Sequence, residues 1–142
     1  LLGSKIRDKR YLLDLNRYLS SVLEDKNVVG VLLFGSLSRG TAMPYPQSDV
    51  DLLIIARNLP TNIAERRLMA LKYKSDPMAI EDIWLTPEEL LEGIEGGWGL
   101  LLDALTDGII LHDPEKLLQT SKEIVARKYK RIGRIWSLKK LC

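Results

Sequence analysis

Two apolar runs of strand length, Val28-Val29-Gly30-Val31-Leu32-Leu33-Phe34 and Leu52-Leu53-Ile54-Ile55, are each joined to residues that a core would not bury. The first runs into Gly35-Ser36, and the second is preceded by Asp49-Val50-Asp51. Strands apolar on both faces belong in the middle of a covered sheet. The chain must turn at Gly35-Ser36, and residues 36–41 suit one short helical turn. Asp49 and Asp51 lie two apart on a strand, so their side chains point to the same face. Two carboxylates that close repel each other unless a cation joins them. Hard divalent cations such as Mg²⁺ take carboxylate oxygens together with the oxygens of a phosphate substrate.

The Gly-Ser turn supplies the other half of such a site. A strand that ends by entering a helical turn exposes backbone N–H groups, which bind phosphate. Gly35 lets the backbone approach a ligand closely because it has no Cβ. Ser36 adds a hydroxyl, and Arg39 offers a planar donor to phosphate oxygens. A phosphate cradle beside a two-carboxylate metal seat is the equipment of phosphoryl or nucleotidyl transfer by two metal ions.

The remaining chain is predicted to build an α/β (α+β) sandwich around a mixed sheet of three to five strands, with helices mainly on one face. Residues 5–25 are expected to form a helix with Leu12, Leu15, Leu19 and Val22 on one side, ending at Asn27. Pro44 and Pro46 mark residues 43–48 as a loop, and the second strand spans Asp49 to Ile55. Asn62 caps a helix over 63–74 with Leu68 and Leu71 inward, broken at Asp76-Pro77. Residues 78–85 form a third strand. Thr86-Pro87-Glu88-Glu89 has the order of a helix start, with a threonine cap and proline at the first helical position. The glycines at 93–99 suggest a loop or hinge, followed by a short helix over 100–106. Gly108 to His112 suits an edge strand, and a long basic helix is expected over about 114–140, interrupted near Gly133. All of this fits one domain of 142 residues with its core at about 27–113.

Gly-Ser, twelve residues, then Asp-x-Asp followed by apolar strand residues resembles the signature of the polymerase-β-like nucleotidyltransferase superfamily. Gly35-Ser36-Leu37-Ser38-Arg39-Gly40 with Ser48-Asp49-Val50-Asp51-Leu52-Leu53 is most similar to its small members, the minimal nucleotidyltransferases of the antitoxin type. The likeness is sharp over about residues 31–56 and looser as far as residue 87. It implies that Gly35 and Ser36 bind the triphosphate and that Asp49 and Asp51 hold two Mg²⁺ ions, with Mn²⁺ an alternative. A third carboxylate on a later strand completes the metal site and helps to deprotonate the attacking hydroxyl. The third strand offers Glu81 and Asp82, and neighbours on a strand face opposite ways. Asp82 is preferred, since it leaves Ala79, Ile83 and Leu85 for the helix-covered face, and Glu81 stays open. The implied reaction moves an NMP, AMP if the NTP is ATP, onto a hydroxyl. The resemblance also implies a partner, a helical HEPN-type toxin with a tyrosine as acceptor. The alternative function is a non-catalytic antitoxin that neutralises its partner by binding.

Composition narrows the partners. Lys122 to Lys140 carries eight basic residues against Glu123 alone, while the whole chain nets +2, so the rest is acidic by about five charges. Such a tail could hold nucleic acid or an acidic protein, but Tyr129 and Trp136 are thin aromatic interleaving, and nucleic acid is not favoured. No apolar run approaches the roughly 18 residues of a membrane span. The start of the chain lacks the layout of a signal peptide, so a cytoplasmic location is expected. Cys142 is the lone cysteine, which leaves no disulfide within one chain. Ser38, Ser48, His112, Trp84 and Trp98 are expected to be structural, and oligomers remain open.

Overall fold

The computed structural model describes residues 2–75 and 78–139. The expected break at Asp76-Pro77 and the segment Lys140 to Cys142 lie outside the described residues. The elements in order are α1 (Leu2–Lys5), α2 (Lys9–Val22), β1 (Val28–Phe34), α3 (Gly35–Arg39), β2 (Val50–Ala56), α4 (Ile63–Leu71), β3 (Ile80–Leu85), α5 (Pro87–Glu95), α6 (Gly99–Asp107), β4 (Ile109–His112), α7 (Leu117–Lys128), β5 (Tyr129–Ile132) and β6 (Ile135–Leu138). Four strands form a mixed sheet in the order β3-β2-β1-β4. β1 runs antiparallel to β2 and β4, and β2 runs parallel to β3. The two apolar runs therefore occupy the middle of the sheet, as their composition requires.

Strand alternation sends side chains into two core layers. Val31, Leu33, Val50, Leu52 and Ile54 pack with Tyr11, Leu15, Tyr18 and Val22 of α2. Leu32, Leu53 and Ile55 pack on the opposite side with residues of α5, α6 and α7. Helices thus cover both faces, and the expectation of helices mainly on one face gave α2 too little weight. That helix also starts later than expected. Asp8 accepts a hydrogen bond from the Arg10 N–H and caps Lys9–Val22, separating it from α1. The helix stops at Val22, short of Asn27. Its buried stripe is Tyr11, Asp14, Leu15, Tyr18 and Val22, with Leu12 and Leu19 at the margin.

Asn62 caps α4 as expected, accepting from the Glu65 N–H. The phase of α4 differs from the expectation. Arg66 and Ala70 face inward, and Leu68 and Leu71 are exposed. Both stripes have helical spacing, and the winner is decided by the Arg66 guanidinium. It donates to the Trp84 carbonyl and pairs with Glu89 across the end of β3. Thr86 and Glu89 close a reciprocal capping box at the start of α5, with Pro87 at its first turn. Gly93 lies within α5, so the expected hinge shrinks to residues 96–98.

The basic tail departs most from expectation. α7 ends at Lys128, and the chain continues as a hairpin of β5 and β6 in antiparallel register, Tyr129↔Leu138 to Ile132↔Ile135. Gly133 and Arg134 form the connection, and Gly133 has φ +60°, the left-handed backbone a two-residue hairpin turn demands. Aromatic and β-branched residues flank that turn on both sides, a strand signal that the charge count had masked.

Candidate active site

β1 delivers the chain into Gly35 at the rim of the sheet, where Phe34 pairs with Asp51 of β2. Gly35 has φ +75°, and a Cβ there would stand 2.1 Å from Oδ2 of Asp51. The Asp51 carboxylate therefore lies against bare Gly35 backbone, in space that any other residue would fill. Ser38 is buried, and its hydroxyl donates to the Gly35 carbonyl at 2.8 Å. It fixes the turn rather than facing a ligand. Gly40 closes α3, and the Thr41 N–H returns to the Ser36 carbonyl at 2.9 Å. Ser36 is half-buried and Arg39 exposed, at opposite ends of this short helix.

The acids gather across two parallel strands. Asp49 is exposed just before β2, and Asp51 is half-buried two residues later. The parallel register pairs Asp51 with Glu81 of β3, which puts both side chains on the face shared with Leu53 and Ile83. Burial above all, with the nearby charges of Asp49 and Glu81 adding to it and Arg39 opposing, pushes the Asp51 carboxyl up to about 6. Three carboxylates this close repel one another, and a cation shared between them would relieve that repulsion. The donors are all carboxylate oxygens, which suits a hard divalent ion such as Mg²⁺. Among the described residues, no three His, Cys, Asp or Glu side chains are grouped so that they could hold a metal ion together. A site that takes part of its coordination shell from substrate phosphates needs fewer protein ligands than an enclosed one.

Asp82, the preferred third acid, is placed elsewhere. It shares with Ile80 and Trp84 the face toward α2, opposite to Asp51. Tyr18 donates to it at 2.6 Å, the Trp84 indole N–H at 2.8 Å, and the Lys74 ammonium pairs with it at 2.8 Å. Burial alone would raise its pKa, and these three donors together hold it below the ordinary carboxylate value. Its oxygens are already satisfied. The preference for Asp82 rested on a single helix-covered face, and with both faces covered that criterion cannot choose between neighbours. Glu81 is the acid that the register brings to Asp51.

Tyr11 and Asp14, which the sequence did not single out, hold the loop before the acids together with Ser48. The Tyr11 hydroxyl donates to the Met43 carbonyl at 2.8 Å and accepts from the Ser48 N–H at 3.0 Å. The Ser48 hydroxyl accepts from the Met43 N–H at 2.8 Å, closing the loop that leads into Asp49. Buried Asp14 accepts from the Tyr45 hydroxyl and from the Ala79 N–H, tying that loop to the start of β3. The signal was present in α2, where Tyr11, Asp14 and Tyr18 put polar groups on a buried stripe that needs partners.

Comparison with known proteins fixes the class. Over residues 15–132 the chain matches the nucleotidyltransferase domain family, and it belongs to that family. A segment of 40 residues is 52% identical to a Methanocaldococcus jannaschii protein provisionally named a protein adenylyltransferase, covering 28% of this chain and 26% of the relative. The match thus spans about a quarter of that protein's length. Two solved structures share the fold. One is a protein of Sulfolobus solfataricus provisionally assigned as a nucleotidyltransferase, with TM-score 0.52 and 21% identity over 75% of this chain and 84% of that one. The other is a mutant of the toxin–antitoxin pair MntA–HpeT, with TM-score 0.52 and 16% identity over 80% of this chain and 82% of the other. Among the described residues no helix is long and apolar enough to cross a membrane.

Proposed function

We propose that this protein transfers an NMP from an NTP to a hydroxyl acceptor, with Asp49, Asp51 and Glu81 as the metal-holding carboxylates and the Gly35-Ser36 turn as the phosphate cradle. The observation that carries this reading is the Asp51 carboxylate, pressed against Gly35 backbone on one side and facing Glu81 on the other. Backbone N–H groups at the start of α3 and the Ser36 hydroxyl would orient the triphosphate, and Arg39 would sit over its outer oxygens. Two Mg²⁺ ions, or Mn²⁺, bound at the three carboxylates would neutralise phosphate charge and lower the pKa of the attacking hydroxyl. The acceptor oxygen forms a bond to the α-phosphorus, and the bond from that phosphorus to the bridging oxygen breaks. Pyrophosphate leaves, and Glu81 would receive the hydroxyl proton.

ATP is the proposed donor and a protein hydroxyl the proposed acceptor. The provisional adenylyltransferase name of the M. jannaschii relative supports both. The fold shared with the MntA–HpeT pair supports a toxin partner, here a helical HEPN-type protein modified on tyrosine. The test is calorimetry with ATP and Mg²⁺, wild type against Asp49→Asn/Asp51→Asn, followed by pyrophosphate release with the candidate partner added. Metal-dependent binding lost in the double variant supports the site. A wild-type protein that captures the partner but neither binds ATP nor releases pyrophosphate would make it a binding-only antitoxin.

A further inference from the structure

The hairpin of β5 and β6 plays no part in the proposed reaction, and its two faces differ. Residues directly opposite on antiparallel strands share a face. Tyr129, Arg131 and Trp136 lie on the inner one, with exposed Leu138 at its edge. The Tyr129 hydroxyl donates to the Ile94 carbonyl, the Trp136 indole N–H donates to Asp103 at 3.0 Å, and Arg131 pairs with Asp103 and Asp107. The outer face presents Lys130, Ile132 and Ile135, with Arg134 at the turn, and the two isoleucines are 59% and 70% exposed. From Arg127 to Lys139 there are six basic residues and no acid. Aliphatic side chains inside a charged rim are the make-up of a protein contact. A single-stranded nucleic acid would want aromatic platforms, and both aromatics here are turned inward.

A patch of opposite character lies beside it. Along the outer side of α5, Glu88, Leu91, Glu92 and Glu95 are exposed at spacings of three and four. The hydrogen bond from Tyr129 to Ile94 holds the hairpin at the far end of that same helix. Each copy of the chain therefore carries a basic aliphatic patch and an acidic one, on elements joined where Tyr129 meets the end of α5. Paired patches of this kind are what a two-fold contact requires, because each half meets the other half of its partner. We propose that two copies of this chain associate, the outer hairpin face of each resting on the outer α5 face of the other. Lys130 and Arg134 meet Glu88 and Glu92, and Ile132 and Ile135 cover Leu91. This contact uses none of the candidate active-site residues and stands apart from the proposed reaction.

Sedimentation of the full chain over a concentration series, at low and high salt, tests it. A reversible dimer is expected, weakened about tenfold or more at high salt. Lys130→Glu/Arg134→Glu and Glu88→Lys/Glu92→Lys should each weaken it by a similar factor, with unchanged melting curves. Mixing those two variants should restore association, since both contacts in the mixed pair are again complementary. Ile132→Ser/Ile135→Ser should also dissociate it while leaving the charges in place. A chain that is monomeric throughout overturns the proposal, as does a dimer indifferent to both charge reversals. A monomer that instead binds a single-stranded oligonucleotide or polyglutamate through Lys130 and Arg134 overturns it too, and gives the hairpin that occupant.

Discussion

Glu81 and Asp82 are neighbours on one strand, yet the protein treats their two faces of the sheet in opposite ways. On the α2 side Asp82 is saturated by Tyr18, Trp84 and Lys74, and its charge is held on. On the other side Asp51 stands with Asp49 and Glu81 and resists ionising. Charge that is balanced inside the protein serves the fold. Charge left unbalanced at a rim, beside a backbone turn that suits phosphate, is what the proposed reading assigns to a ligand that brings its own cations. The difference separates satisfied from unsatisfied acids with no appeal to residue type, because all four are carboxylates on or next to adjacent strands.

The largest effect is expected from neutralising the unbalanced side. Asp49→Asn and Asp51→Asn should each lower nucleotidyl transfer by on the order of 10²-fold or more, the scale of losing a preorganised electrostatic group. Far-ultraviolet circular dichroism should be unchanged. Full activity in both variants would remove the site. Next in size is the split between neighbours. Glu81→Gln should cost roughly 10- to 100-fold in transfer and leave urea unfolding nearly unmoved. Asp82→Asn should do the reverse, costing about 3 kcal/mol of stability, because the Asp82 side chain is 6% exposed and its loss leaves Lys74 with an unpaired charge. An Asp82→Asn protein that folds normally but cannot transfer would return the third-acid role to Asp82. Gly35→Ala should affect stability and binding together. Its new methyl would collide with the Asp51 carboxylate in a left-handed backbone, so about 1–2 kcal/mol of stability and most ATP binding should be lost together, as read by melting and calorimetry.

Much of this was legible in the sequence, and the reasons are local. Val28 to Phe34 and Leu52 to Ile55 announce central strands because nothing but a doubly covered sheet hides so much aliphatic surface. Gly35-Ser36 and Asp49-x-Asp51 mark the candidate site because their chemistry is costly elsewhere. Legibility ended where phase or partners decide. Leu68 and Leu71 lost the inward stripe of α4 to Arg66 and Ala70 through a guanidinium that reaches Trp84 and Glu89. Asp82 and Glu81 could be told apart only by the register of β3 on β2. The hairpin after Lys128 was hidden by charges that suit an exposed helix and an exposed ribbon equally well, and Gly133 alone hinted at the turn.

The smallest expected effect is one of pH, and it tests the comparison in the metal-free protein. Asp51 has a carboxyl raised to about 6 in the folded chain from an ordinary 3.8. Its folded form therefore binds the proton more tightly than its unfolded form, and that stabilising contribution is present at low pH. It is lost as pH rises from about 4 to 6, because the unfolded carboxyl ionises first. The group is only half-buried, so solvent screening reduces the effect to on the order of 1 kcal/mol. Asp82 has the opposite sign. Its lowered pKa gives stability that is present above its ordinary value and lost on acidification below it. Melts with chelator should thus show Asp51→Asn gaining on wild type between about pH 4 and 6 and holding that gain to neutrality, an advantage that added Mg²⁺ abolishes by stabilising wild type alone. An Asp51→Asn protein less stable than wild type at neutral pH in chelator would mean that the Asp51 charge is already balanced within the fold, and the contrast between the two faces would fall.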